Sequence, residues 1–96
     1  LVGAEVAVVT NGYGTRIASN GQIYGLAWRT GGGELHFKAV DSLGADVGTE
    51  HTLSIDVPNH SVVPHVTWDG ERFVVAWFQN RQGQGTEEIY VAAVCP

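Results

Sequence analysis

Short apolar runs with the two-residue faces of strands recur along the chain, and nowhere does the spacing lengthen to that of an amphipathic helix. From Arg72 to Phe78, the residues Phe73, Val75 and Trp77 share one face and Val74, Ala76 and Phe78 the other. Both faces are apolar, the pattern of a strand covered on both sides. Ile23 to Trp28 repeats it, with Tyr24, Leu26 and Trp28 on one face and Ile23, Gly25 and Ala27 on the other. The small side chains of Gly25, Ala27 and Ala76 let a neighbouring sheet come close. Short strands are predicted over Arg16–Ser19 and His65–Trp68, ending in the turn dipeptides Asn20-Gly21 and Asp69-Gly70. Further strands follow at 35–41 and 88–95. They are reached through Thr30–Gly33 in one case and the longer Gln79–Thr86 in the other. Ser42-Leu43-Gly44 turns the chain into a strand over 47–55, and Gly12-Tyr13-Gly14 reads as a turn.

These elements occur twice. Asn20-Gly21-Gln22-Ile23-Tyr24-Gly25-Leu26-Ala27-Trp28 returns as Asp69-Gly70-Glu71-Arg72-Phe73-Val74-Val75-Ala76-Trp77, an offset of 49 residues. Glu34-Leu35 and Ala39-Val40 return as Glu88-Ile89 and Ala93-Val94, offset by 54. Val2-Gly3-Ala4-Glu5 matches Val47-Gly48-Thr49-Glu50 at an offset of 45. Periods of this size mark stacked units that cannot bury their faces alone. The first repeat spans about 11–55, and the second about 56–96 plus the strand 2–10, within a single unit of residues 1–96. The strand first in sequence thus belongs with the last three.

The run Pro64-x-Val66-x-x-Asp69-Gly70, then Phe73-Val74-Val75-Ala76-Trp77, Arg81 and Ile89-Tyr90, resembles a blade repeat of β-propellers in bacterial surface and secreted proteins. That repeat often carries an acidic residue shortly after the tryptophan; Gln79 stands there instead, and the first copy lacks both it and the arginine. The resemblance implies an all-β fold: a β-propeller with two four-stranded antiparallel blades per chain, the N-terminal strand completing the last blade. An eight-stranded β-sandwich is the competing fold. Propellers close with 4–8 blades, so two are too few. Either copies of the chain self-associate into a closed ring, three being favoured and four allowed, or the chain is part of a longer propeller. In a ring, the N-terminal strand of one subunit pairs with the last blade of the next.

A net charge of −5, with arginine and lysine scattered at Arg16, Arg29, Lys38, Arg72 and Arg81, offers no phosphate-neutralising cluster, so nucleic acid is not expected as a partner. No apolar run approaches the ~20 residues of a spanning helix, and no membrane insertion is expected. The single cysteine, Cys95, has no partner for an internal disulfide.

Candidate ligand-binding residues are Trp68, Arg29, Arg81, Trp28, Trp77 and Glu87. Trp28 and Trp77 recur at one repeat position, which favours packing between blades over a sugar platform. Trp68 has Ser19 as its counterpart, so the repeat itself does not demand an aromatic ring there. Arg29 and Arg81 are expected just past the buried strands, where they meet sugar hydroxyls or pair with Glu34, Glu87 or Glu88. His60 and His65 flank a loop near Asp56, but their spacing matches no metal-ligand pattern, and neither metal nor cofactor is expected. No nucleophile elbow, zinc-protease motif or phosphate loop is present, and adjacent Glu87 and Glu88 point to opposite faces of a strand, so no enzyme is expected. The expectation is a non-catalytic binding module that takes carbohydrate at shallow blade junctions. In plan it resembles two-blade lectins that trimerise and bind fucose, with an extracellular or cell-surface setting. The alternative is a structural or protein-interaction segment of a larger surface protein, with no small-molecule ligand.

Overall fold

The computed structural model describes residues 7, 9, 12–31, 33–54, 64–79 and 88–95. All regular structure among them is β. The strands are β1 (Gly12–Ser19), β2 (Tyr24–Thr30), β3 (Leu35–Val40), β4 (Asp46–Ser54), β5 (His65–Trp68), β6 (Phe73–Gln79) and β7 (Glu88–Val94). They form two antiparallel sheets, a four-stranded one in the order β1-β2-β3-β4 and a three-stranded one in the order β5-β6-β7. Each sheet is one sequence repeat laid out as a meander. The described residues thus form two stacked sheets, one of four strands and one of three.

The same chemistry builds the first turn of both repeats. Asn20 Oδ1 accepts hydrogen bonds from the backbone N–H groups of Gln22 and Ile23, both at 2.9 Å. Asp69 Oδ1 does the same for Glu71 at 2.9 Å and Arg72 at 2.7 Å. The glycine that follows sits at φ 97° in Gly21 and 107° in Gly70, a region that L side chains avoid. The bonds from Arg72 and Glu71 hold the exposed Asp69 carboxyl below its ordinary value. Between β3 and β4, Asp41 Oδ1 accepts from Leu43 at 2.9 Å and Ala45 at 3.0 Å, which fixes the turn predicted at residues 42–44.

Strand bounds match the predicted ones to within about two residues, except at the start of β1. Gly12-Tyr13-Gly14 is not a turn. It is the first part of β1, paired with β2 at Gly12↔Thr30 and Tyr13↔Arg29, and the register then shifts between Tyr13 and Arg16. Gly14, at φ 61°, lies within that irregularity, so a glycine cluster that reads as a loop serves a β-bulge instead.

The core lies between the sheets. Ala27, Leu35 and Phe37 from the first sheet meet Phe73, Val75, Trp77 and Val94 from the second. The predicted close approach occurs at Gly25: a Cβ there would stand 2.7 Å from Phe73 Cδ1 and 2.9 Å from Phe37 Cε2. The backbones of the two sheets converge at β5, which lies against β1 and β2. The opposite face of the first sheet buries a smaller cluster of Leu26, Trp28 and Val40, against which Val9 packs. The proposed seam strand over residues 2–10 lies outside the described residues apart from Ala7 and Val9, neither of which is in a strand.

Candidate functional site

The anticipated ligand residues are not gathered on one surface. Trp28 is 4 % exposed in the outer cluster of the first sheet, and Trp77 is 5 % exposed in the core between the sheets, stacked on Tyr90 at 6.1 Å. Trp68 is half-buried, with its ring edge-on to Phe73 at 4.8 Å. Arg29 corrects an expectation: it does not lie past the buried strand but within β2, paired with Tyr13 and Leu35, and is 4 % exposed. Arg81 and Glu87 lie outside the described residues, as do His60 and Asp56. His65 opens β5 as an exposed strand residue, so it is not in the loop.

One polar cluster had not been anticipated. His36, 8 % exposed on β3, has Nε2 at 3.0 Å from Glu34 Oε1 and Nδ1 at 3.1 Å from Glu50 Oε2. Thr52 Oγ1 lies 3.4 Å from the same Nδ1. The ring also stacks on Trp28, with centroids 5.6 Å apart and planes 16° from parallel. A neutral imidazole donates from one nitrogen only, so both carboxylate bonds coexist when the ring is protonated. The two nitrogens point to opposite sides and hold the carboxylates apart, so these groups cannot close around one cation. Among the described residues no group of three His, Cys, Asp or Glu is placed to hold a metal. The arrangement clamps the strands: it ties β4 to β3 and covers Trp28. Lys38 and Asp46, 3.2 Å apart, add a second tie between the same two strands.

A groove of about 210 Å³ opens where the two sheets meet. It is lined by Phe37, Ala39, Val47, Gly48, Thr49 and His51 of the first sheet and by Cys95, which follows β7. Its shape follows from a bulge. Phe37 pairs with His51 but Ala39 pairs with Val47, so β4 carries extra residues there, and Gly48 takes φ 79° within them. Bulges turn side chains away from the regular pleat. Val47, Gly48, Thr49 and His51 of β4 line the groove, while Glu50 between them bonds His36. The ring of His51 lies tilted over Phe37 at 6.4 Å. Cys95 is an exposed free thiol.

Comparison of the chain with protein-family models, curated proteins and solved structures returned no match.

The groove draws on residues 37 to 51 and on Cys95, and none of the six anticipated residues lines it. One sequence signal pointed there: Val-Gly-x-Glu recurs in both repeats, and its glycine in the first is the bulge residue Gly48. The clamp had no comparable local signal, since Glu50 reaches His36 only through the pairing of β3 with β4.

Proposed function

We propose that the chain is a non-catalytic binding module of propeller-blade type that takes a small polar ligand, a single sugar ring, in the groove between its two sheets. The observation that carries this reading is the groove itself. Its lining joins apolar Val47 with Thr49 and His51, side chains able to hydrogen-bond sugar hydroxyls. At about 210 Å³ it is smaller than the ~300–1,000 Å³ pockets that hold drug-sized ligands, which favours one monosaccharide over a nucleotide or an extended cofactor. The blade reading is supported by the duplicated meander and by the way the sheets converge at their first strands, as blades do toward an axis, instead of lying evenly apart as in a sandwich.

A glycan array followed by titration calorimetry tests the ligand. Millimolar to micromolar binding of one or more monosaccharides is expected. His51→Ala should weaken it about tenfold, the cost of one lost hydrogen bond and its packing, while Trp68→Ala leaves it unchanged. Binding that survives His51→Ala and disappears with Trp68→Ala would move the site to the tryptophan. No binding to any sugar would leave the second reading ahead: a structural or protein-interaction module. That reading is favoured by the exposed apolar side chains of Ile89 and Val91 on β7.

A further inference from the structure

Glu50 joins the two polar features of the first sheet. It stands between Thr49 and His51, which line the groove, while its own carboxylate turns to the opposite face and meets His36 Nδ1 at 3.1 Å. The ladder does not match this stretch. Phe37 pairs with His51 and Ala39 with Val47, so Gly48, Thr49 and Glu50 stand opposite the single residue Lys38. Gly48 adds a positive φ of 79°. Among the described residues, two ion pairs on the outer face bracket the bulge. Lys38 holds Asp46 at 3.2 Å before it, and His36 holds Glu50 at its end. Only the second tie depends on a proton that comes and goes near neutral pH, the property of histidine.

We propose that His36 is a positioning residue for the groove, and that loss of its proton releases the bulge of β4 and weakens ligand binding there. The proposal rests on the groove reading and adds its regulation. Protonated, the ring donates from Nε2 to Glu34 at 3.0 Å and from Nδ1 to Glu50. Neutral, it keeps one N–H, and the surroundings select which. Glu34 is fixed through its own backbone: its carbonyl accepts from Thr30 N at 2.8 Å, and its N–H donates to Thr30 Oγ1 at 3.2 Å. Nδ1 without its proton is an acceptor, and Thr52 Oγ1, on the residue paired with His36, stands 3.4 Å away with a hydroxyl to donate. The proton therefore leaves Nδ1 for solvent, and Thr52 replaces Glu50 as its partner.

A lone pair then faces the Glu50 carboxylate, and the contact turns from attractive to repulsive. The imidazole cannot follow, because it is stacked on Trp28 at 5.6 Å and bonded to Glu34. Glu50, whose side chain is half-exposed, moves out into water instead. Among the described residues, the other charges facing the ring are Lys38 and Asp46, which are paired with each other, and β2 presents the Trp28 ring. With one of its two ties lost, the unmatched stretch no longer holds Thr49 and His51 at the groove.

NMR of the full chain without ligand, titrated from about pH 5 to about pH 8, tests the coupling. The amide resonances of Gly48 and Thr49 should shift in step with the His36 ring protons, on one common midpoint. Glu50→Gln keeps the side-chain size at a half-exposed position and removes the charge, so that in this variant the shift should disappear. His51→Gln removes the other histidine of the stretch and should leave the shift in place. Affinity for the monosaccharides that a glycan array returns should fall about fivefold from the acid to the alkaline end in the wild type, and by less in Glu50→Gln. Amides that ignore the His36 titration, or that follow it equally in Glu50→Gln, overturn the proposal. So does an equal fall in affinity in both proteins. A chain that shows the shifts but binds no sugar overturns the ligand reading and leaves the coupling; sugar binding without the shifts does the reverse.

Discussion

Phe73→Ala is expected to lower the unfolding free energy by about 3–5 kcal/mol, the usual cost of truncating a fully buried aromatic ring. Phe73 has no exposed surface and joins three parts of the structure. It touches Phe37 across the sheets at 5.5 Å, meets Trp68 of β5 edge-on at 4.8 Å, and lies over Gly25. A chain of this length has roughly 5–14 kcal/mol of total stability, so the loss consumes a large part of it. Urea titration followed by tryptophan fluorescence would show the midpoint falling with little change in slope. Leu43→Ala, by contrast, should stay within about 0.5 kcal/mol of the parent. If both variants behave alike, the sheets do not pack through Phe73.

Gly25→Ala is expected to destabilise, against the general trend for glycine in a strand. Where there is room, replacing glycine by alanine stabilises by about 0.4–1 kcal/mol through the unfolded chain. Here the added carbon would stand 2.7 Å from one aromatic ring and 2.9 Å from another. Both rings are buried to about 1 % exposure or less and cannot swing away. Overpacking of this kind costs about 1–3 kcal/mol, which exceeds the entropic gain. Gly25→Val should cost more. Phe73→Leu in the same chain makes room, so the double variant should lose less than the sum of the singles. A Gly25→Ala protein more stable than its parent would mean that the sheets stand further apart than described.

Much of this architecture was legible because a period of two fixes both the element and its faces. Phe73, Val75 and Trp77 were assigned a common face from spacing alone, and that face forms the core. The position of both turns was legible from Asn20-Gly21 and Asp69-Gly70, but their form was not. Each is a longer turn, closed from Asn20 to Ile23 or Asp69 to Arg72 and capped by the Asn or Asp side chain, where a two-residue hairpin was expected. What escaped was set by register. Gly12 to Gly14 looked like a turn because a bulge glycine and a turn glycine are the same residue in sequence, and only pairing with β2 separates them. Arg29 was expected just past the buried part of its strand, whereas it pairs inside the ladder with Tyr13 and Leu35 and is itself buried. Glu50 and Thr52 meet His36 through the β3–β4 ladder, which no spacing rule within one strand could supply. The groove was hidden for the same reason: its walls come from β3, a bulge in β4 and the end of β7.

The repeats predict a fourth strand beside β7, and none is present among the described residues. Amide hydrogen exchange along β7, read residue by residue by NMR on the full chain, tests their completion most directly. In an antiparallel strand every second N–H points to each side, so half the amides of Glu88–Val94 face away from β6. If a fourth strand pairs with that edge, protection should run continuously from residue 88 to 94. Alternating protection in the wild-type protein, with every outward amide exchanging freely, would show that nothing pairs with that edge and would contradict the account.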